Sequence, residues 1–278
     1  MISQNGIERG TDAKEKGESG MKINNRVAFI TGASGGIGRE IALAFAKEGA
    51  NMGLAARSMD KLNALAAEIK GLGRRVVVCH CDVMVSKDIV SAIRTTVKEL
   101  GPVDILVNCA GTFTLGEFQL MTDEQWDTIM QTNLRAPFVA IREVLPSMIE
   151  RKKGRIINIG SNSSKEGGPS SAVYAASKHG LLGLTKSLAA QVAPLGITAN
   201  TICPGYVATA MFEKSKQIRA AASGKSLEEI TEELRNRIPT KRFIEPKEVA
   251  PLAVYLASDD SPSITGQAIN VVGGLIMH

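Results

Sequence analysis

The stretch RVAFITGASGGIGREIALAFAKE, residues 26–48, joins a short apolar run (Arg26 to Ile30) to a glycine-rich turn (Thr31 to Gly38) and a helical segment (Arg39 to Glu48). Strand, glycine turn and helix in that order make a dinucleotide cradle. Glycines let the backbone turn sharply and approach a pyrophosphate, while the helix start offers free N–H groups and the positive end of its dipole. A glycine cluster alone is weak evidence; here it sits in the context that the chemistry requires.

The same alternation continues outward from this unit. A second strand, Asn51 to Ala55, ends in Ala56-Arg57-Ser58. NAD-preferring sites carry an acid about 20 residues past the last glycine, but eighteen residues past Gly38 stands Ala56, with Arg57 beside it. Alanine leaves room for a 2′-phosphate and arginine pairs with one, so NADP(H) is expected over NAD(H). Helix two spans Met59 to Lys70, and strand three leads to Asp82-Val83. A helix over Ser86 to Leu100 precedes strand four, Asp104 to Val107, which ends in Asn108-Cys109-Ala110-Gly111. The next helix contains Asn133-Leu134, strand five is Arg155 to Ile159, and a long helix follows from about Tyr174 to Val192. Strand six, Ile197 to Ile202, ends in Cys203-Pro204-Gly205, and a helix from about Pro246 to Ala257 and a strand over Gln267 to Val272 close the chain. Repeated βα units with apolar strands predict an α/β fold, a parallel sheet covered on both faces by helices.

Residues Ala210 to Pro239 break this rhythm. They are charged, and Ser226-Leu227-Glu228-Glu229 is a capping-box pattern opening a helix with Leu227, Ile230, Leu234 and Ile238 on one side. Placed after the C-terminal end of a strand, the segment at about 210–240 is expected to be a substrate lid.

Within Tyr174-Ala175-Ala176-Ser177-Lys178, helical geometry puts the phenol and the ammonium on one face, a turn apart. Tyrosine titrates near 10, too high for a base at neutral pH, and a nearby cation is expected to lower that value. Ser161 lies thirteen residues before Tyr174, at the end of strand five, where open α/β sheets place their ligands.

Composition removes several other classes. The charge of +5 comes from Lys and Arg interleaved with Asp and Glu along the 278 residues, which reads as solvated surface rather than a nucleic-acid patch. No apolar run is long enough for a membrane span. The scattered His80, His179 and His278 and the spacing of Cys79, Cys81, Cys109 and Cys203 argue against a metal site or a serine-protease triad. Without a secretory signal the cysteines are expected as reduced thiols in the cytoplasm. Residues 1–20 carry few large aliphatic side chains and are expected to be a disordered tail ahead of one domain, 21–278.

TGASGGIG, Asp82-Val83, NCAG at 108–111, Asn133, Ser161, YAASK at 174–178, and Pro204-Gly205 followed by Thr209 together resemble the short-chain dehydrogenase/reductase family, over nearly everything from about Lys22 onward. The resemblance implies a Rossmann-type, doubly wound, seven-stranded sheet, a homotetramer, and hydride transfer between a nicotinamide and a carbonyl or secondary alcohol. By that likeness Tyr174 is the acid in reduction and the base in oxidation, and Ser161 orients the substrate oxygen. Lys178 lowers the Tyr174 pKa and holds the nicotinamide ribose, and Asn133 anchors a water of a proton relay. Thr31, Gly32, Gly36, Ile37 and Gly38 line the pyrophosphate, and Arg57 meets the 2′-phosphate. Asp82 and Val83 face the adenine, Asn108 to Gly111 (including Ala110) lie on the adenosine side, and Thr209 contacts the carboxamide end. Ser34, Pro204, Gly205 and Val207 complete that cofactor set.

The core is similar to bacterial 3-oxoacyl-carrier-protein reductases, with departures. Gly35 stands where many NADP(H) users carry a basic residue. Arg151-Lys152-Lys153 supplies one basic patch for an acidic carrier, but Leu195 occupies the expected place of the other. The lid is longer, and the carboxylate-binding positions of 3-hydroxybutyrate enzymes hold Phe113, Ser163 and Ser171. The expected activity is an NADP(H)-dependent ketone reductase or secondary-alcohol dehydrogenase, with 3-oxoacyl thioesters first among substrates. The rivals are an NAD-dependent polyol or hydroxy-acid dehydrogenase and, from another class, a non-catalytic dinucleotide-binding sensor.

Overall fold

The computed structural model describes residues 20–278, so the tail expected over 1–20 lies outside the described residues but for Gly20. Seven strands form one sheet: β1 (Val27–Thr31), β2 (Asn51–Ala56), β3 (Val76–His80), β4 (Ile105–Asn108), β5 (Gly154–Ile159), β6 (Ile197–Pro204) and β7 (Ala268–Val271). Their order is β3-β2-β1-β4-β5-β6-β7 and every pairing is parallel. The helices are α1 (Gly36–Lys47), α2 (Met59–Gly71), α3 (Ser86–Leu100), α4 (Asp123–Met130), α5 (Ala136–Glu150), α6 (Ala172–Val192), α7 (Ala210–Ser223), α8 (Leu227–Arg237) and α9 (Ala250–Ala257).

The two-residue repeat of a strand sorts its side chains between two cores. Ile30 of β1, Val107 of β4 and Ile157 of β5 pack with Ile41 and Phe45 of α1 and Leu62 of α2. Phe29, Leu106 and Ile156, one position away, pack instead with Ile93 of α3, Val139 of α5 and Val192 of α6. Each such side chain, fully buried, contributes roughly 1.5–3 kcal/mol, so strands apolar on both faces are stable only with helices on both sides.

The direction of strand order reverses between β1 and β4, where Thr31 pairs with Asn108. That switch point opens a crevice at the C-terminal ends of the strands, the place where such sheets bind ligands. The fold is therefore the doubly wound, seven-stranded parallel sheet expected.

Three local differences stand out. Asn133 lies in a π-helical turn, Gln131–Arg135, between α4 and α5 rather than in a regular helix. Pro137 explains the break, because it has no N–H to give the carbonyl of Asn133 as an α-helix would require. Leu227, expected on the apolar side of α8, is 41% exposed at the helix start, while Ile230 and Leu234 are buried with Phe212 in a small separate cluster. A short 3₁₀ turn, Pro246–Glu248, stands ahead of α9, where one helix was expected. Among the described residues no helix is long and apolar enough to cross a membrane.

Candidate active site

The glycine turn sits against the crest of β4. Gly32 has φ of +70°, and a Cβ there would lie 2.7 Å from Ala110 Cα, so no other residue fits so close to the NCAG segment. The Thr31 hydroxyl accepts from the N–H groups of Cys109 (3.1 Å) and Ala110 (3.2 Å), tying β1 to β4 instead of facing the crevice. At the start of α1 no side chain caps the helix and no acid stands in the first turn, which leaves its N–H groups open to an anion. Beyond Gly35 lies open space. Arg57, just past β2, is exposed and has no ion-pair partner among the described residues. Open N–H groups, an empty surface at Gly35 and a free guanidinium fit an anionic dinucleotide.

The other cofactor residues divide. The Asp82 carboxylate accepts from Met84 N–H (3.0 Å) and stays half-buried beside Val83. Thr209 caps α7, accepting from Phe212 N–H (3.3 Å), and its methyl would lie 3.1 Å from a Cβ on Gly36. The start of α7 therefore rests on the glycine turn. Val207, bridged to Ile244, is buried, and Gly205 N–H donates to Val271 (3.0 Å) beyond Pro204. Asn108, expected on the adenosine side, turns its side chain into the sheet. Its Nδ2 donates to Asn158 Oδ1 (2.8 Å), Asn158 donates to Thr185 (2.8 Å), and Thr201 donates to the same hydroxyl (3.1 Å). Buried amides need partners, and this chain supplies them across three strands and α6.

The four residues read as catalytic come together. Ser161, 8% exposed, caps a 3₁₀ turn, Asn162–Ser164: its hydroxyl accepts from Ser163 N–H (3.1 Å) and donates to Asn162 Oδ1 (3.1 Å). Tyr174, one turn before Lys178 on α6, places its phenol beside that hydroxyl; burial pushes the phenol up and Ser161 draws it partly back. Lys178 is 5% exposed and donates to the Ile159 carbonyl at 2.8 Å. Asn133 accepts from Thr112 N–H (2.9 Å) and donates to Thr112 O (2.9 Å) and Ser177 Oγ (3.0 Å). A Cβ on Gly111 would lie 3.5 Å from Asn133 Oδ1 and 3.8 Å from Lys178 Nζ, so the end of β4 faces both.

One expected effect is not seen without cofactor. Lys178 does not draw the Tyr174 phenol below its ordinary value in the ligand-free protein. The ammonium lies 5.9 Å from the centre of the Tyr174 ring and bonds a backbone carbonyl, while its own burial pushes it down to about 8. Desolvation is the largest cause at both groups.

Two site residues went unread in the sequence. Ser177 Oγ donates to Tyr174 O (2.7 Å) while accepting from Asn133, and Thr112 pins the Asn133 amide. The signal for Ser177 was its place between Tyr174 and Lys178; for Thr112 nothing local marks it.

A model of the short chain dehydrogenase family matches residues 26–220. The chain is 37% identical over 254 residues to a 3-oxoacyl-acyl-carrier-protein reductase of Staphylococcus epidermidis, covering 91% of this chain and all of that one. It is 39% identical over 252 residues to D-beta-hydroxybutyrate dehydrogenase of Rhizobium meliloti, covering 90% and 98%. Among solved structures, a variant of actinorhodin polyketide ketoreductase determined with NADPH superposes with a TM-score of 0.87 at 38% identity, covering 90% of this chain and 97% of that one. With the crevice at the switch point, the open helix start and Ser161, Tyr174 and Lys178 gathered beside it, these likenesses place the chain in the short chain dehydrogenase family, as an oxidoreductase acting between a nicotinamide dinucleotide and a ketone or its alcohol.

Proposed function

We propose that this protein is an NADP(H)-dependent ketone reductase with 3-oxoacyl thioesters as its first substrates, working in the cytoplasm as a homotetramer. The observation that carries the chemistry is the meeting of Asn133 and Lys178 at Gly111, just past β4, with the Tyr174 phenol beside the Ser161 hydroxyl one helical turn before Lys178. When bound, the reduced nicotinamide supplies the hydride. Tyr174, whose phenol burial pushes up further, gives its proton to the carbonyl oxygen as the alcohol forms. Ser161 holds that oxygen, exchanging the bond it now donates to Asn162. Lys178 leaves the Ile159 carbonyl to meet ribose hydroxyls, and its charge then favours the phenolate. Asn133 has its side chain fully engaged, so the relay water rests on its backbone carbonyl, which Pro137 leaves without an α-helical donor.

The support for NADP(H) is Arg57 beside Ala56, an alanine rather than an acid standing eighteen residues past Gly38. The α7–α8 pair, seated on the glycine turn through Thr209, serves as the lid. Exposed Phe138 and Ile149 on α5 offer apolar surface for assembly. The test is Tyr174→Phe. Turnover of a 3-oxoacyl thioester with NADPH should fall by about 10²–10⁴-fold, with cofactor Kd unchanged by fluorescence titration. Retained turnover would remove Tyr174 as the proton donor.

A further inference from the structure

From Val271, the last residue of β7, to His278 the chain touches three parts of the site in turn. Val271 O accepts from Gly205 N–H at 3.0 Å, next to the end of β6. Gly273 and Gly274, at φ of +59° and +86°, then thread past the exit of the α7–α8 pair. A Cβ on Gly273 would lie 2.9 Å from Ile238 Cγ2, one on Gly274 3.0 Å from Pro239 Cγ, and Thr240 N–H donates to Gly273 O at 3.3 Å. Ile276 is buried, whereas Met277 is 84% exposed, so beyond Ile276 the segment is held by its backbone. The His278 backbone oxygen accepts from Lys165 Nζ at 2.6 Å and from Asn270 Nδ2 at 3.0 Å.

Lys165 is the residue that closes the 3₁₀ turn begun by Ser161: its N–H donates to Asn162 O at 3.0 Å. A three-residue turn holds itself weakly, and here its far end is anchored by its own cation, Lys165, to an oxygen of the neighbouring segment. We propose that residues 272–278 form a strap coupling the lid exit to the Ser161 turn, and that Lys165 is a positioning residue acting through that strap on the Ser161 hydroxyl. The inference rests on reading Ser161 as the group that orients substrate and 210–240 as the lid. Release of the anchor lets the turn drift, and a displacement near 1 Å at an orienting group lowers the rate steeply. The glycine turn and Arg57, on the other side of the switch point, are untouched.

The test compares Lys165→Met, Lys165→Arg, a chain lacking Met277 and His278, and the Lys165→Met change within that shortened chain. Expected is a fall in kcat of about tenfold for Lys165→Met, with the NADPH Kd and the melting temperature of the parent. Lys165→Arg restores the rate. The shortened chain shows the same loss, and the combination loses no more than either alone, as for two halves of one contact. Parent kinetics in Lys165→Met, multiplying losses in the combination, or a matching loss of cofactor affinity would each overturn the proposal. Failure of the underlying reading shows separately, as turnover surviving in Ser161→Ala.

Discussion

Lys178 is an ordinary cation in the unfolded chain and a disfavoured one in the fold, where burial takes its ammonium from 10.5 to about 8. Between those values the unfolded chain binds more protons, so this group makes stability rise with pH across roughly 8 to 10.5. Below 8 the full penalty stands, roughly 3 kcal/mol at 1.36 kcal/mol per unit, offset in part by the bond to Ile159 O. Lys178→Met should therefore melt higher than the ligand-free parent at pH 7, with the gap closing toward pH 10.5, while losing turnover. Melting curves across that range check it, and a gap independent of pH would refute the assignment. Arg57 is tested by cofactor choice. Arg57→Ala should weaken NADPH about 10- to 100-fold, the equivalent of one charge-assisted pair, and leave NADH unchanged in the same titration. Both residues were marked by spacing alone, whereas the direction of the Tyr174 shift was not, because desolvation depends on what surrounds the ring.

At the scale of elements, the α7–α8 pair carries its own small core. Phe212, Ile230 and Leu234 are buried there with Tyr206 and Phe243 against them, apart from the two clusters that flank the sheet. Phe212 stacks on Tyr206 at 5.4 Å and meets Phe243 edge-on at 4.9 Å. Truncation of a buried leucine costs about 2–5 kcal/mol, and here that loss falls on one local unit. Leu234→Ala should raise the KM for the ketone several-fold and speed proteolytic cutting within 210–240. The main thermal transition should stay nearly in place. A large drop in that transition instead would show the pair to be part of the main core. The capping box at Ser226 that opens α8 was legible, since it needs only neighbours in sequence. The π turn at Asn133 was not, although Pro137 gives its cause.

Across the whole molecule, the N-terminal side of the sheet is closed by charge. Arg26, just ahead of β1, and Arg155 of β5, both buried, share the Asp259 carboxylate beyond α9, and each also donates to a carbonyl there, Ala257 and Ser258. Arg26 is the main cause of the lowered Asp259 pKa, and burial of the guanidiniums outweighs attraction at Arg155. Asp259→Asn leaves two buried cations without their shared carboxylate. Breaking a buried pair costs about 3–5 kcal/mol; because Asp259 is 72% exposed, solvent screening reduces that to about 2 kcal/mol. The sign with pH follows from the lowered value: the contribution is present above the ordinary carboxylate range and is lost as pH falls through the folded-state pKa. Denaturant titrations at pH 7 and pH 3 should show the difference between parent and Asp259→Asn shrinking in acid.

The succession of strands and helices, the glycine-turn cradle and the candidate set Ser161, Tyr174 and Lys178 were legible in the sequence alone, because periodicity, turn chemistry and motif spacing are properties of nearby residues. Tertiary structure decided the rest. It turned Asn108 inward to Asn158, raised the phenol of Tyr174, drew Lys178 onto Ile159 and brought Lys165 to His278. Each of these depends on burial or on contacts between residues remote in the chain, and neither is written in the order of neighbours.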